Sequence, residues 1–432
     1  MLRNTWYDHS VELLQNVVQR RLLEVVRRLL DAEVVIGLQG PRSVGKSTLL
    51  RTIASDAGVE VLDLDDLVVR EEAQRDPSLF VGGAAPVCID EYQHVPIILD
   101  AIKAELNRMQ RPGRFLLTES TRYGALPEAA QALTGRLHLV TVRPFSQGEI
   151  AGVHENFVEA IMVDPATVVT SRRSTLGRVD YINRVTTGGL PMVLQRREQD
   201  RARWIDDYVT QTLDRDVREL AKIRQRTLMP RLLERLASQT GQILNVASAS
   251  SSVGLESRTG ENYTRLLEAV FLIERLPAWG TTVRARAGSA PKVHVLDTAI
   301  AARLLRVTPS KLAALQPSAL TQFGHLMETF VVGEILKQIS WSDSVSDYGH
   351  WRTFDGDEVD IILERDDGAV VAIEVKSSRR IAGSDLAGLR KLKAALGPRF
   401  LGGIALYTGE RSYTHEASIH VAPIDQLWTQ LQ

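Results

Sequence analysis

Cysteine is nearly missing from this chain. Cys88 stands alone among 432 residues, which excludes an internal disulfide. Its setting in the apolar run PVCIDE marks it as a packing residue. Net charge is missing too. With 52 basic and 53 acidic side chains summing to −1, no global field draws nucleic acid, so any such contact must come from a local patch. No apolar stretch reaches the roughly 18 residues that suggest a membrane span. The opening residues MLRNTWYDHS lack the apolar core of a secretory signal, so cytoplasm is the expected location, with no membrane partner. A guanine-reading N-K-x-D motif is also lacking. What is present is an ordinary globular composition, 44% hydrophobic and 24% charged, in a chain too long for one core, so two to four domains are expected.

The strongest positive signal is the octapeptide GPRSVGKS, Gly40 to Ser47, which fits the phosphate-loop pattern G-x-x-x-x-G-K-[ST]. VVIGLQ before it reads as a buried strand, and TLLRTIASDAG after it reads as a helix stopped by Gly58. In such a unit the amides of Gly40, Pro41, Arg42, Ser43, Val44, Gly45, Lys46, Ser47 and Thr48 line a nucleotide phosphate cradle, allowing for the proline, which has no N–H. Lys46 carries positive charge to the outer phosphates, and the Ser47 hydroxyl is placed to ligate Mg²⁺. PVCIDE is a second strand turning acidic at its end. There Asp90 is expected to hold Mg²⁺ and Glu91 to polarise a water for attack on the γ-phosphate. The cofactors expected are therefore ATP and Mg²⁺. Asp63 and Asp65 end another short strand, where capping the next helix competes with a metal role.

RFLLTES offers Thr118 and Ser120 to orient the water, and His94, Tyr92 and Gln93 form a loop placed to sense nucleotide state. Arg136, just before the strand LHLVTV, is a candidate for an arginine reaching a neighbour's γ-phosphate, which would require a homo-oligomer. Arg143 competes for that role, and ordinary surface ion pairs compete with both. The segment VELLQNVVQRRLLEVVRRLLD at 11–31 reads as a helix packed on the nucleotide domain. Further on, a helix over 228–241, a short helix, a turn near Gly254 and a longer helix through Leu266 to Leu276 resemble a winged-helix domain, with Val283 to Arg286 beginning a wing. Arg258, Asn262 and Arg265 would lie on its second, exposed helix. DNA and protein contact both remain open as its role.

The last third contains two strands around an Asp-Asp-Gly turn, with Asp360 on the first and Glu374 and Lys376 on one face of the second. With Glu328 on the preceding helix, they resemble the restriction-endonuclease-like PD-(D/E)xK core, in which the carboxylates hold a divalent ion and Lys376 orients water. A salt-bridged cluster without chemistry is the competing reading.

Taken together, GPRSVGKSTLL, CIDEYQHVP, LLTES, LTGR, GGLP, PKVHVLDTAI, GHLMETFVVGEIL and AIEVKSS resemble prokaryotic AAA+-type ATPases that carry a carboxy-terminal domain of unknown function numbered 4143. The resemblance implies an α/β fold: an AAA+ P-loop domain with a parallel sheet, a helical and winged-helix region, and an α/β restriction-endonuclease-like domain. The boundaries expected are 1–150, 151–226, 227–290 and 291–432. Glu119 departs from the T-G-S usual after the third core strand, and a carboxylate there is expected to repel nucleotide or shift the water. The function expected is Mg²⁺-dependent ATP hydrolysis coupled to conformational change and acting on DNA. The alternative is an ATP-controlled protein-interaction switch whose nuclease-like domain is inert.

Overall fold

The computed structural model describes residues 18–122, 133–220, 225–282 and 289–431. Residues 11–17 of the expected first helix fall outside them. The remainder forms α1, Leu22–Leu30, whose Leu22, Leu23 and Val26 are buried against the first sheet domain. That domain runs β1 (Val35–Gln39), α2 (Lys46–Ala57), β2 (Val61–Asp63), α3 (Leu67–Arg75), β3 (Val87–Asp90), α4 (Ile98–Arg108), β4 (Phe115–Glu119) and β5 (Leu137–Thr141). The strands form one parallel sheet in the order β2-β3-β4-β1-β5. β1, β3 and β4 are buried throughout, as expected of central strands covered on both faces. Their parallel register brings the residues following Gln39, Ile89 and Leu117 to one edge of the sheet.

After β5 the chain becomes helical, through α5 (Gln147–Ala151), α6 (Arg178–Thr187) and α7 (Glu198–Gln211). α7 does not end cleanly but widens into a π turn at Thr212–Asp216. Next come α8 (Met229–Ala237), β6 (Gln242–Ile243), α9 (Val246–Ser251) and α10 (Ser257–Ala269). The helix expected to reach Leu276 stops at Ala269. Phe271 takes a left-handed φ of +59°, and the apolar Ile273–Leu276 forms β7 instead. The candidate wing at Val283 to Arg286 lies outside the described residues. β8 (Lys292–Val295) completes a three-stranded antiparallel sheet, β6-β8-β7, and α11 (Thr298–Leu304) packs back on α6 and α7. Residues 292–304 therefore lie with the middle region, and a division at 290 cuts β8 away from its own sheet.

α12 (Pro317–Ile339) leads into a separate mixed sheet made of β9 (Asp347–Arg352), β10 (Glu358–Glu364), β11 (Val370–Lys376), β12 (Phe400–Tyr407), β13 (Tyr413–Glu416) and β14 (Ile419–Pro423). Its order is β13-β14-β12-β11-β10-β9, and α13 (Ala387–Leu396) packs on it. β10 and β11 pair antiparallel across the Asp-Asp-Gly turn.

α12 is the spine of the molecule. Leu326, Met327, Phe330, Val331, Val332, Ile335 and Leu336 are all buried, so the helix is enclosed on nearly every face. Its buried polar residues reach the segments after β5. Glu334 accepts from Gln147 N (2.7 Å) and pairs with Lys337 (2.6 Å), which also donates to Phe145 O (3.0 Å). Gln338 accepts from Val158 N (3.0 Å) and donates to Leu427 O (2.6 Å). Removing one partner of such a pair strands the other charge without water. Glu334→Gln should therefore destabilise the protein by about 3 kcal/mol in urea unfolding. A loss below about 0.5 kcal/mol would mean Lys337 finds solvent.

Candidate functional site: the phosphate loop and the carboxy-terminal carboxylates

The loop between β1 and α2 has the backbone of a phosphate cradle. Gly45 holds φ +96° at the helix start, and a Cβ on Gly40 would lie 2.3 Å from Val142 O, so glycine is needed at both positions. Ser43 also adopts a left-handed φ, +62°. Lys46 is buried and donates to the loop's own carbonyls, Gly40 O and Pro41 O, both at 2.9 Å. Burial depresses its pKa to about 8, opposed by the charge of Glu91. The donor set fits a phosphate chain, because the lysine is already turned into the cradle and can exchange two carbonyls for anionic oxygens.

The acidic pair ends β3 beside it. Asp90 accepts from the hydroxyls of Thr118 and Ser47, and burial raises its pKa. Glu91 sits at a left-handed φ of +54°, a strained value of the kind that gathers at functional sites. Its amide donates to Thr118 Oγ1 (3.0 Å), and its carboxylate accepts from Ser120 (2.6 and 2.9 Å) and Gln93 (2.5 Å). Burial opposes its ionisation, but Lys46, Ser120 and Arg42 outweigh burial and hold its pKa below the ordinary carboxylate value. Ser47, Asp90, Glu91, Thr118 and Ser120 are thus brought together on one edge. His94 lies farther along, 3.2 Å from Asp65, which Arg215 approaches to 3.6 Å.

Arg42 carries a contact that the loop sequence did not announce. Its Nε donates to Asp216 Oδ1 at 2.8 Å and its Nη1 lies 3.7 Å from Glu91 Oε2, while its carbonyl accepts from Tyr208 Oη at 3.4 Å. Asp216 is almost fully buried in the π turn. As a sequence, TLDRDVREL fits an intersubunit or interdomain surface as well as a solvated face, and nothing in it separates Asp216 from its charged neighbours.

Arg136 precedes β5, the edge strand, at the level of Val35. The phosphate loop follows Gln39, at the opposite end of β1, so Arg136 does not face its own chain's cradle. Arg143 is spoken for. It makes a buried bidentate pair with Glu274 of β7, at 2.6 Å on both oxygens, which removes it as a candidate for a neighbour's phosphate.

The carboxy-terminal residues also converge, but around an ammonium. Lys292 Nζ donates to Glu328 Oε1 (2.8 Å) and Asp360 Oδ1 (2.9 Å). Asp360 Oδ2 is taken by Val375 N (2.9 Å), and Glu374 Oε1 by Lys376 (2.7 Å). Among the described residues, no group of three or more His, Cys, Asp or Glu is arranged to hold a metal ion. As placed, these side chains fit a lysine rather than a divalent cation, contrary to the expectation of a metal-binding Glu328, Asp360 and Glu374. Lys292 was legible in PKVHV only as a charge inside an apolar strand.

Three family models match parts of the chain. The chain matches an AAA domain over residues 32–151, a domain of unknown function (DUF8612) over 178–311 and a domain of unknown function (DUF4143) over 323–427. Residues 32–151 form an AAA-type ATPase domain. Uncharacterized proteins of Mycobacterium tuberculosis and Mycobacterium bovis are each 26% identical over 409 residues, 94% of this chain and 83% of theirs. Among solved structures, a Walker-type ATPase of Pyrococcus abyssi superposes with a TM-score of 0.39 at 13% identity, covering 67% of this chain and 96% of that one. The RuvB Holliday junction branch migration motor of Thermotoga maritima does so at 0.28 and 16%, covering 63% and 89%. No helix among the described residues is long and apolar enough to cross a membrane.

Within the ATPase domain, Glu119 behaves differently from the repelling carboxylate its sequence position suggests. It is 1% exposed, and burial raises its pKa to about 8, so it is largely neutral at physiological pH. A folded state that retains a proton the unfolded chain has released loses stability as pH rises from about 4.5 to 8. His294 and His350, lowered to about 3 and about 4 by burial and the Lys292 charge, act oppositely, and their contribution is lost as pH falls below about 6.5. Between pH 6.5 and 8 the unfolding temperature should therefore fall, and Glu119→Gln should flatten that slope. Equal slopes in the two proteins would contradict a protonated Glu119.

Proposed function

We propose that this protein is an ATP-controlled conformational switch whose output is protein contact, and that its nuclease-like carboxy-terminal domain does not cleave. The observation that carries the reading is Arg42, a phosphate-loop residue ion-paired at once with buried Asp216 of the helical region and approached by Glu91. ATP entering the cradle brings several negative charges next to Arg42 and Lys46. Arg42 then divides its interaction between phosphate and Asp216, and the strength of that pairing tracks nucleotide state. Backbone amides of the loop and Lys46 hold the phosphates, and Glu91 takes a proton from an attacking water once Ser120 or Gln93 releases it. Ser47 and Asp90 would hold Mg²⁺, which when bound neutralises charge on the phosphate oxygens. The absence of a guanine-reading motif favours ATP over GTP.

DNA as the target has less support. On α10, Arg265 lies 3.4 Å from Glu261, and Arg275 pairs with Glu261 and Glu268, so the helix expected to meet a groove carries neutralised charge. Arg136, just before the edge strand and turned away from its own chain's cradle, is the residue on which a shared site between copies of the chain would rest.

Lys46→Ala should abolish ATP binding. Glu91→Gln should retain it while lowering turnover at least ~100-fold. Asp216→Asn, away from the phosphates, should lower kcat on the order of 10-fold, a coupling of about 1.4 kcal/mol, with a smaller change in nucleotide affinity. Steady-state phosphate release and nucleotide titration measure all three. An Asp216→Asn enzyme with wild-type kcat would remove the link on which the switch depends.

A further inference from the structure

A buried carboxylate cluster lies between the middle region and the carboxy-terminal domain, and as placed it surrounds an ammonium rather than a metal ion. Three elements supply hard oxygen donors: Glu328 from α12, Asp360 from β10 and Glu374 from β11. All three side chains are largely buried, and Glu374 Oε2 has no hydrogen-bond partner at all. Burial and the repulsion of Asp360 push the carboxyls of Glu328 and Glu374 upward, as expected of acids crowded together away from water. A positive charge among such groups favours their ionised forms.

The charge it has comes from elsewhere in the chain. Lys292 lies on β8, in the three-stranded sheet of the middle region, and its Nζ meets Glu328 and Asp360 at 2.8 and 2.9 Å. The side chain is 1% exposed, so it is held in the cluster by the surrounding fold. Its neighbours on β8 and β9, His294 and His350, stay neutral and add no competing charge.

We propose that the Lys292 ammonium is a tethered stand-in for a divalent cation, inserted from the middle region and closing this carboxylate cluster to metal. Withdrawing the lysine leaves an all-oxygen site suited to Mg²⁺ or Mn²⁺. The proposal deepens the reading of the carboxy-terminal domain as non-cleaving, but it concerns ionic occupancy alone and is tested without nucleotide.

Mn²⁺ binding to nucleotide-free full-length protein, followed by electron paramagnetic resonance, gives the direct assay. Lys292→Ala should bind one Mn²⁺ more than wild type, at least 10-fold more tightly than wild type does at this cluster, and adding Asp360→Asn should abolish the gain. Ser47 and Asp90 are intact in every protein compared, so any ion at the phosphate loop cancels. Lys292→Met keeps the lysine's apolar stem and serves where the alanine variant folds poorly. Its unfolding temperature in Mn²⁺ should exceed that in EDTA, whereas wild type should show no such difference. Equal Mn²⁺ stoichiometry and affinity in wild type and the Lys292 variants would overturn the proposal. A folded Lys292→Met protein indifferent to Mn²⁺ would overturn it equally. Because ATP turnover enters neither measurement, failure here leaves the phosphate-loop switch standing, and loss of the switch leaves this result intact.

Discussion

The proposed response to nucleotide depends on a guanidinium flanked by two carboxylates from different parts of the chain. Arg42 belongs to the cradle, Glu91 to the acidic end of β3, and Asp216 to the π turn that ends α7. Buried Asp216 has given up hydration, so it depends on its cationic partner, and any competing anion near Arg42 acts on the helical region through that dependence. The π turn is an apt receiver. Its wider hydrogen bonding is less stable than an α-helix and is often found where a helix must adjust.

Beyond that contact the molecule offers little slack. α12 is enclosed by apolar residues and anchored by Glu334, Lys337 and Gln338 to segments on both sides, so the ATPase domain and the mixed-sheet domain share one continuous core. Arg143 with Glu274 and Lys292 with Glu328 and Asp360 add buried ionic links from the middle region to each neighbour. Packed interfaces of this kind shift between discrete arrangements rather than deforming smoothly. On the proposed switch, a small change at Arg42 would be converted into a change of domain arrangement or into none.

Much of the first site was legible in the sequence because its chemistry is local. The phosphate loop, Asp90 and Glu91 follow apolar strands in fixed register, and strand–loop–helix periodicity is a short-range signal. The pairing of β10 and β11 around Asp-Asp-Gly was legible for the same reason. What escaped is non-local. Asp216 lies 174 residues from Arg42, and Lys292 lies 68 from Asp360, so neither partnership leaves a pattern in its own segment. β7 was read as helix because LLEAVFLIERL keeps helical spacing, and the left-handed Phe271 that breaks it is set by tertiary packing. The same limit explains Glu119. Its charge was assumed from its residue type, whereas its neutrality comes from burial.

Hydrogen exchange on the Glu91→Gln protein, with and without ATP, tests the central claim most directly, because that variant is expected to hold ATP without consuming it. ATP-dependent protection should change in the segment 205–217 around the π turn as well as in the loop 40–48. A change confined to the phosphate loop and the end of β3, with 205–217 exchanging identically in both states, would contradict the account.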